Sequence, residues 1–260
     1  MNSKRQAGFT LTELMIATGL SLTVIAAVLT GYVATYTNSL GTLAGSKLNH
    51  EITTLMSLMG NDIRRAGYWG GISASEDPLG NPFNVVGESA LTVFDSVVGN
   101  NSVGPLGSGT CIVYAYDLAT DGAVNADELF GFRLNNGVVQ MRTSGTPGNA
   151  ASCADPSDVW EDLTDINMVN ITTLTFDLSD SSCLNIREPD GIDNDGDGVV
   201  DNPEESDCYS APLPVAGSGD ITVETRELLI TLTGSLADDD FVRVTQSQTV
   251  RVRNELIREF

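Results

Sequence analysis

After Glu13 the chain carries no charged side chain until Lys47, and this gap limits what the polypeptide can fold into more than any other feature. Leu14–Leu29 is mostly apolar, and Tyr32–Ala34 extends the run through a more polar patch. A helix needs ~20 such residues to cross a hydrocarbon layer ~30 Å thick, so one membrane span fits. Lys4 and Arg5 lie ahead of it, and the positive-inside rule then keeps the N-terminus cytoplasmic and sends the rest to the far side. A secretory signal would close its apolar region with a small-x-small site, and no Ala-x-Ala occurs there. A plain anchor explains the hydrophobicity but not Glu13, because a carboxylate at the start of an apolar run is costly and usually functional.

Lys4-Arg5 followed by Gly8-Phe9-Thr10-Leu11-Thr12-Glu13-Leu14 resembles the leader and cleavage motif of type IV pilins and type II secretion pseudopilins. The resemblance implies that a prepilin peptidase cuts between Gly8 and Phe9, that Phe9 becomes the N-methylated first residue, and that the apolar helix is retained. It also implies that Glu13 faces the terminal ammonium of a neighbouring Phe9 in the filament, which relieves part of the cost of a buried charge. Residues 1–8 are then a leader, 9–65 a transmembrane and stem helix, and 66–260 a periplasmic β-rich head. The expected location is the inner membrane, single-pass, and afterwards the extracellular pilus.

Beyond the span, Leu48, Ile52, Leu55, Met56, Met59 and Ile63 recur at helical spacing and form one apolar stripe, which reads as core. His50, Glu51, Asn61, Asp62 and Arg64 fall off it, and His50 reads as a solvated helix residue. The stem is expected to reach about Arg65, with Gly31, Gly41 and Gly45 as points where it could bend. The run Asn61-Asp62-Ile63-Arg64-Arg65-Ala66-Gly67-Tyr68-Trp69-Gly70 ends in a glycine-rich turn. Its cations read as compensation for the helix dipole. This run also resembles the end of the stem in PilW-like minor pilins.

The remainder reads as strands and turns. Strands are expected at Ala90–Val98, Cys111–Asp117, Leu129–Leu134, Val138–Arg142, Ile171–Leu178, Glu224–Thr233 and Phe241–Arg253. Asn135-Asn136-Gly137 is a hairpin signal, and the segments near 99–109 and 144–152 read as loops. Arg243, Arg251 and Arg253 alternate with valines in the last strand and read as its solvated face. The final Val250-Arg251-Val252-Arg253-Asn254 again resembles the PilW-like family. The fold class is therefore α+β: a long N-terminal helical stem packed on an antiparallel β-sheet head, pilin-like, with an inserted calcium loop at 183–208. At 260 residues and 41% hydrophobic the chain can bury a real core. Its formal charge of −22 argues against nucleic acid, whose phosphates need a basic stripe.

Asp193-Asn194-Asp195-Gly196-Asp197-Gly198-Val199-Val200-Asp201-Asn202-Pro203-Glu204 carries the twelve-residue calcium pattern. Asp193, Asp195 and Asp197 supply carboxylates, the Val199 carbonyl points inward, Asp201 binds directly or through water, and Glu204 closes the site. Pro189, Gly191 and Pro203 argue against the flanking helices of an EF-hand, and the loop looks more like the helix-poor calcium loops of extracellular repeat proteins. A bland alternative is an acidic solvated turn. A degenerate copy falls at Asp117, Asp121, Asn125 and Glu128, where Ala119 replaces a ligand and a polar hairpin connection is the simpler reading.

The four cysteines form no C-x-x-C pair, and the single histidine lies far from them, so zinc is poorly supported. An exported chain with Cys111, Cys153, Cys183 and Cys208 favours two disulfides. Sequence order favours Cys111–Cys153 and Cys183–Cys208, although four cysteines allow three pairings. The second pair would bracket the calcium loop and help order it.

There is no G-x-S-x-G elbow, no Walker A loop and no second histidine for a triad, so the expected role is structural rather than enzymatic. The favoured reading is a minor pilin that primes assembly with other minor and major pilins and sits at or near the filament tip. It would support twitching motility, adhesion or DNA uptake. The alternatives are a type II secretion minor pseudopilin of the J type and a membrane-tethered calcium-dependent adhesin.

Overall fold

A computed structural model describes residues 8–70, 77–193, 196–209, 217 and 219–260. Lys4 and Arg5 of the expected leader, and the expected ligand Asp195, lie outside the described residues. The chain divides into two compact units, Met1–Lys47 and Leu48–Phe260. One helix, α1 (Leu11–Ile63), runs through the division, so the last part of the stem belongs to the head.

In the first unit α1 continues through Gly31, Gly41 and Gly45 without a break in its helical assignment. Its apolar side chains face outward, with Leu14, Ile16, Leu20, Val24 and Leu29 more than half exposed. The hydroxyls that make this run less apolar are neutralised within the helix. Thr18, Ser21, Thr23, Thr30 and Thr35 each donate to a carbonyl three or four residues earlier. A hydroxyl bonded in this way asks nothing of a surrounding hydrocarbon. α1 is the one helix among the described residues long and apolar enough to cross a membrane.

In the second unit the expected stripe is fully inward: Leu48, Ile52, Met59 and Ile63 are 0% exposed. The strands of this unit, all antiparallel, are β1 (Thr92–Phe94), β2 (Ser108–Gly109), β3 (Cys111–Ala115), β4 (Leu129–Asn135), β5 (Val138–Ser144), β6 (Val159–Asp162), β7 (Val169–Asp177), β8 (Ser182–Asn185), β9 (Ile221–Thr225), β10 (Glu227–Leu236), β11 (Asp239–Arg251) and β12 (Leu256–Glu259). They form three sheets, in the orders β1-β3-β4-β5-β6, β11-β10-β7-β2 and β12-β9-β8. The stripe shares one core with Ile112, Tyr114 and Phe132 of the first sheet and with Leu174, Ile230 and Leu232 of the second. Close approach depends on Gly234: a Cβ there would stand 2.8 Å from Ile52 Cδ1.

The expected hairpin is present: Asn135 pairs with Val138, and Asn136 (φ 49°) and Gly137 (φ 82°) form the two-residue turn. Arg243, Arg251 and Arg253 are exposed as expected. One strand expectation needs correction. The strand expected at Glu224–Thr233 is two strands, because the chain passes from the third sheet to the second at Arg226. The helix ends at Ile63, close to the expected end near Arg65, and Arg64 and Arg65 lie in the turn that follows. That turn takes up the helix's last carbonyls, with Arg65 N–H donating to the Asp62 carbonyl and Ala66 N–H to that of Ile63, each at 3.0 Å, and the C-terminal segment holds the turn. Arg253 N–H donates to the Arg64 carbonyl at 3.1 Å, and Asn254 Nδ2 donates to the Ala66 carbonyl at 3.0 Å.

Candidate functional site

The N-terminal site is built by local helix chemistry. Gly8, Phe9 and Thr10 precede the helix and are exposed, Phe9 at 90%, so the Gly8–Phe9 bond lies in open, non-helical chain. Thr10 and Glu13 form a capping box around the first turn. Glu13 N–H donates to Thr10 Oγ1 at 3.3 Å, while Thr10 N–H and Oγ1 donate to Glu13 Oε2 at 2.9 and 2.8 Å. Glu13 thus closes its own helix start, a role the sequence reading did not assign, although the T-x-x-E spacing signals it.

At the other end of the stem, Asp62 corrects the sequence reading. It was expected off the buried stripe, yet it is 4% exposed. Its Oδ2 accepts from Tyr114 at 2.6 Å and its Oδ1 from Tyr116 at 3.0 Å, and Arg65 pairs with Oδ1. The Arg65 guanidinium lies 4.3 Å above the Tyr116 ring, which stacks on Phe130 at 4.2 Å. Burial first, and the Asp62 carboxylate second, push both tyrosines above the ordinary phenol pKa, so both remain hydroxyl donors. Arg65 is therefore an ion-pair partner that joins helix to sheet.

Both cysteine pairs are disulfides, Cys111–Cys153 and Cys183–Cys208. The second closes the acidic insertion at its base, where Asn185 N–H donates to the Ser206 carbonyl at 2.9 Å. Inside it, Gly196 (φ 76°) and Gly198 (φ 90°) turn the backbone so that their N–H groups reach Asp193 at 2.7 and 2.9 Å. Asp197 Oδ1 accepts from Val199 N–H at 2.7 Å, and Asp201 Oδ1 from Gly191 N–H at 2.8 Å. Glu204 is exposed. Among the described residues the acids whose oxygens gather within 4.8 Å are Asp201, Glu188 and Asp190. Glu188 and Asp190 were not singled out from the sequence, since they precede the twelve-residue pattern.

The degenerate copy has a different character. Asp117, Asp121 and Glu128 also gather within 4.8 Å, but Asp117 and Glu128 are buried. Their oxygens already accept backbone amides. Glu128 Oε1 holds the N–H groups of Leu118 and Ala119 at 2.7 and 2.8 Å. Its Oε2 holds Asn125 N–H at 2.9 Å. Asp117 Oδ2 takes those of Gly70 and Gly122, each at 3.0 Å. Amide dipoles aimed at a carboxylate offset its charge, and through these bonds Asp117 and Glu128 latch the connection.

An apolar helix with a capped glutamate at its start and a disulfide-bonded β head at its end defines a pilin-type protein. A model of the prokaryotic N-terminal methylation motif matches residues 3–29. A family model described as prepilin peptidase-dependent protein B matches residues 41–252, and the chain belongs to that family. No curated protein and no solved structure matches.

Proposed function

We propose that the chain is a minor pilin of the PilW-like kind, which primes assembly of a type IV pilus and remains at or near its tip. Prepilin peptidase dependence and assembly with other pilins follow from the family and the motif. The observation that carries the finer reading is Glu13, an acid at the mouth of a helix that carries no further charge before Lys47, four positions after Phe9. In a filament that carboxylate is placed to meet a neighbour's methylated Phe9 ammonium, so this subunit packs beneath another. The periplasmic head and the structural, non-catalytic role belong to the same reading. A strain lacking the gene is expected to lose surface pili, and the motility, adhesion or DNA uptake they support, while retaining type II secretion. Loss of secretion with intact pili would assign the chain to the pseudopilins instead, and loss of adhesion alone would make it a tethered adhesin.

The insertion fits calcium. Asp193, Asp195, Asp197, the Val199 carbonyl, Asp201 and Glu204 are hard oxygen donors in the required order, and Glu188 and Asp190 add charge beside Asp201. Carboxylates this close repel one another, and a bound cation removes that repulsion. Calcium would order a segment whose Ile192, Val199 and Val200 are at least half exposed. Trypsin cleavage after the exposed Arg187 is expected to slow about tenfold in ~1 mM calcium relative to chelator. An unchanged rate would sink the calcium reading and leave the pilin reading standing.

A further inference from the structure

A cavity of about 230 Å³ lies where the third sheet meets β1 and the end of β7. Leu91, Val93, Leu178 and Leu256 contribute apolar wall, and Arg226, Arg258, Glu224 and Tyr209 contribute the polar groups. The charges do not balance. Arg258 pairs with Glu224 Oε1, Tyr209 donates to Glu224 Oε2 at 3.2 Å, and the Arg226 Nε stands 4.0 Å from that same Oε2. Two guanidiniums therefore share one carboxylate, which leaves one positive charge in excess inside a chain of net charge −22.

Donors are also left over. Arg226 is 6% exposed and spends Nη1 on the Leu91 carbonyl at 3.2 Å. Its buried Nη2 has no hydrogen-bond partner among the described residues, and neither has the buried Nε of Arg258. An arginine stays charged when buried, and an unsatisfied buried donor on a charged group is costly. Such a group persists where a ligand completes it. One excess charge, with Glu224 held nearby, matches a monoanion better than a phosphate dianion. The planar fork of a guanidinium matches a carboxylate. The volume is below the ~300–1,000 Å³ of sites for drug-sized ligands, so it admits a body of about one residue.

We propose that this cavity binds a monocarboxylate borne on a single apolar, residue-sized group, with Arg226 as its anchor and Arg258 as its second donor. The carboxylate is that of a free acid or of the last residue of a peptide, and the two share the same chemistry at the arginines.

The test uses the full chain in detergent micelles, titrated with N-acetyl-leucine, with N-acetyl-leucinamide, and with an acetylated Gly-Gly-Leu peptide. Binding is read from the arginine Nε–H resonances. Saturable shifts with the acid, at least about tenfold weaker with the amide, are expected. Equal or stronger binding of the peptide identifies a chain end as the source, and binding of N-acetyl-leucine alone identifies a free acid. Arg226→Gln is expected to abolish the shifts. Thr92→Trp, which fills the cavity from β1 and keeps both arginines, guards against a folding defect and is expected to abolish them as well. Acid and amide binding alike, or either folded variant binding as the parent does, overturns the proposal.

Discussion

A chain carrying Glu13→Ala is expected to enter filaments about a hundredfold less than the parent, at equal abundance in the membrane. Removing one partner of a buried ion pair costs about 3–5 kcal/mol, because the other charge stays buried and uncompensated. Every 1.4 kcal/mol is about tenfold in an association constant. The capping box offers a competing explanation, since alanine also removes the acceptor for Thr10 N–H and Oγ1. Loss of a cap alone costs only about 1 kcal/mol. Glu13→Gln separates the two. Glutamine keeps an oxygen for Thr10 but carries no charge, so it is expected to fail in filaments nearly as badly as alanine. Immunoblots of sheared pili against membrane fractions give the ratio. If glutamine restores incorporation, Glu13 serves its own helix and not a neighbour's ammonium.

Asp62→Ala is expected to destabilise the head by about 2–5 kcal/mol, at about 1–3 kcal/mol for each buried hydroxyl left without an acceptor, a large share of the 5–15 kcal/mol that typically holds a domain together. The substitution leaves the Tyr114 and Tyr116 hydroxyls without their buried acceptor and frees Arg65 from its partner. Asp62→Asn keeps one acceptor and is expected to lose about half as much, since hydrogen bonds to a charged group are roughly twice as strong as neutral ones. Urea unfolding followed by tryptophan fluorescence measures both. A loss below about 1 kcal/mol for alanine, the scale of a surface substitution, would show that the stem is held by its apolar stripe alone.

Hydrophobic spacing reports burial only when the inward residues are apolar, and this explains what the sequence revealed and what it hid. Leu48, Ile52, Met59 and Ile63 announce themselves, and so does the Asn136-Gly137 turn, because in each case the signal lies within a few residues. Asp62 does not, for its tyrosines are 52 and 54 positions away. β9 reverses the usual pattern: Thr222 and Glu224 are buried while Ile221 and Val223 are only half-buried, so apolar alternation points to the wrong face. The short strands β6, β8 and β12 were missed because four residues with charged or polar members carry too little pattern to separate them from loops. Arg226 falls inside the strand expected at Glu224–Thr233, and nothing in its neighbours singles it out. Its burial comes from the crossing between two sheets, which only the tertiary fold reveals.

The most direct test of the pilin assignment is the intact mass of the membrane-expressed protein, with and without a co-expressed prepilin peptidase. The expected result is loss of Met1–Gly8 and methylation of Phe9 only when the peptidase is present. A chain left uncut, or cut after the apolar span, would contradict it.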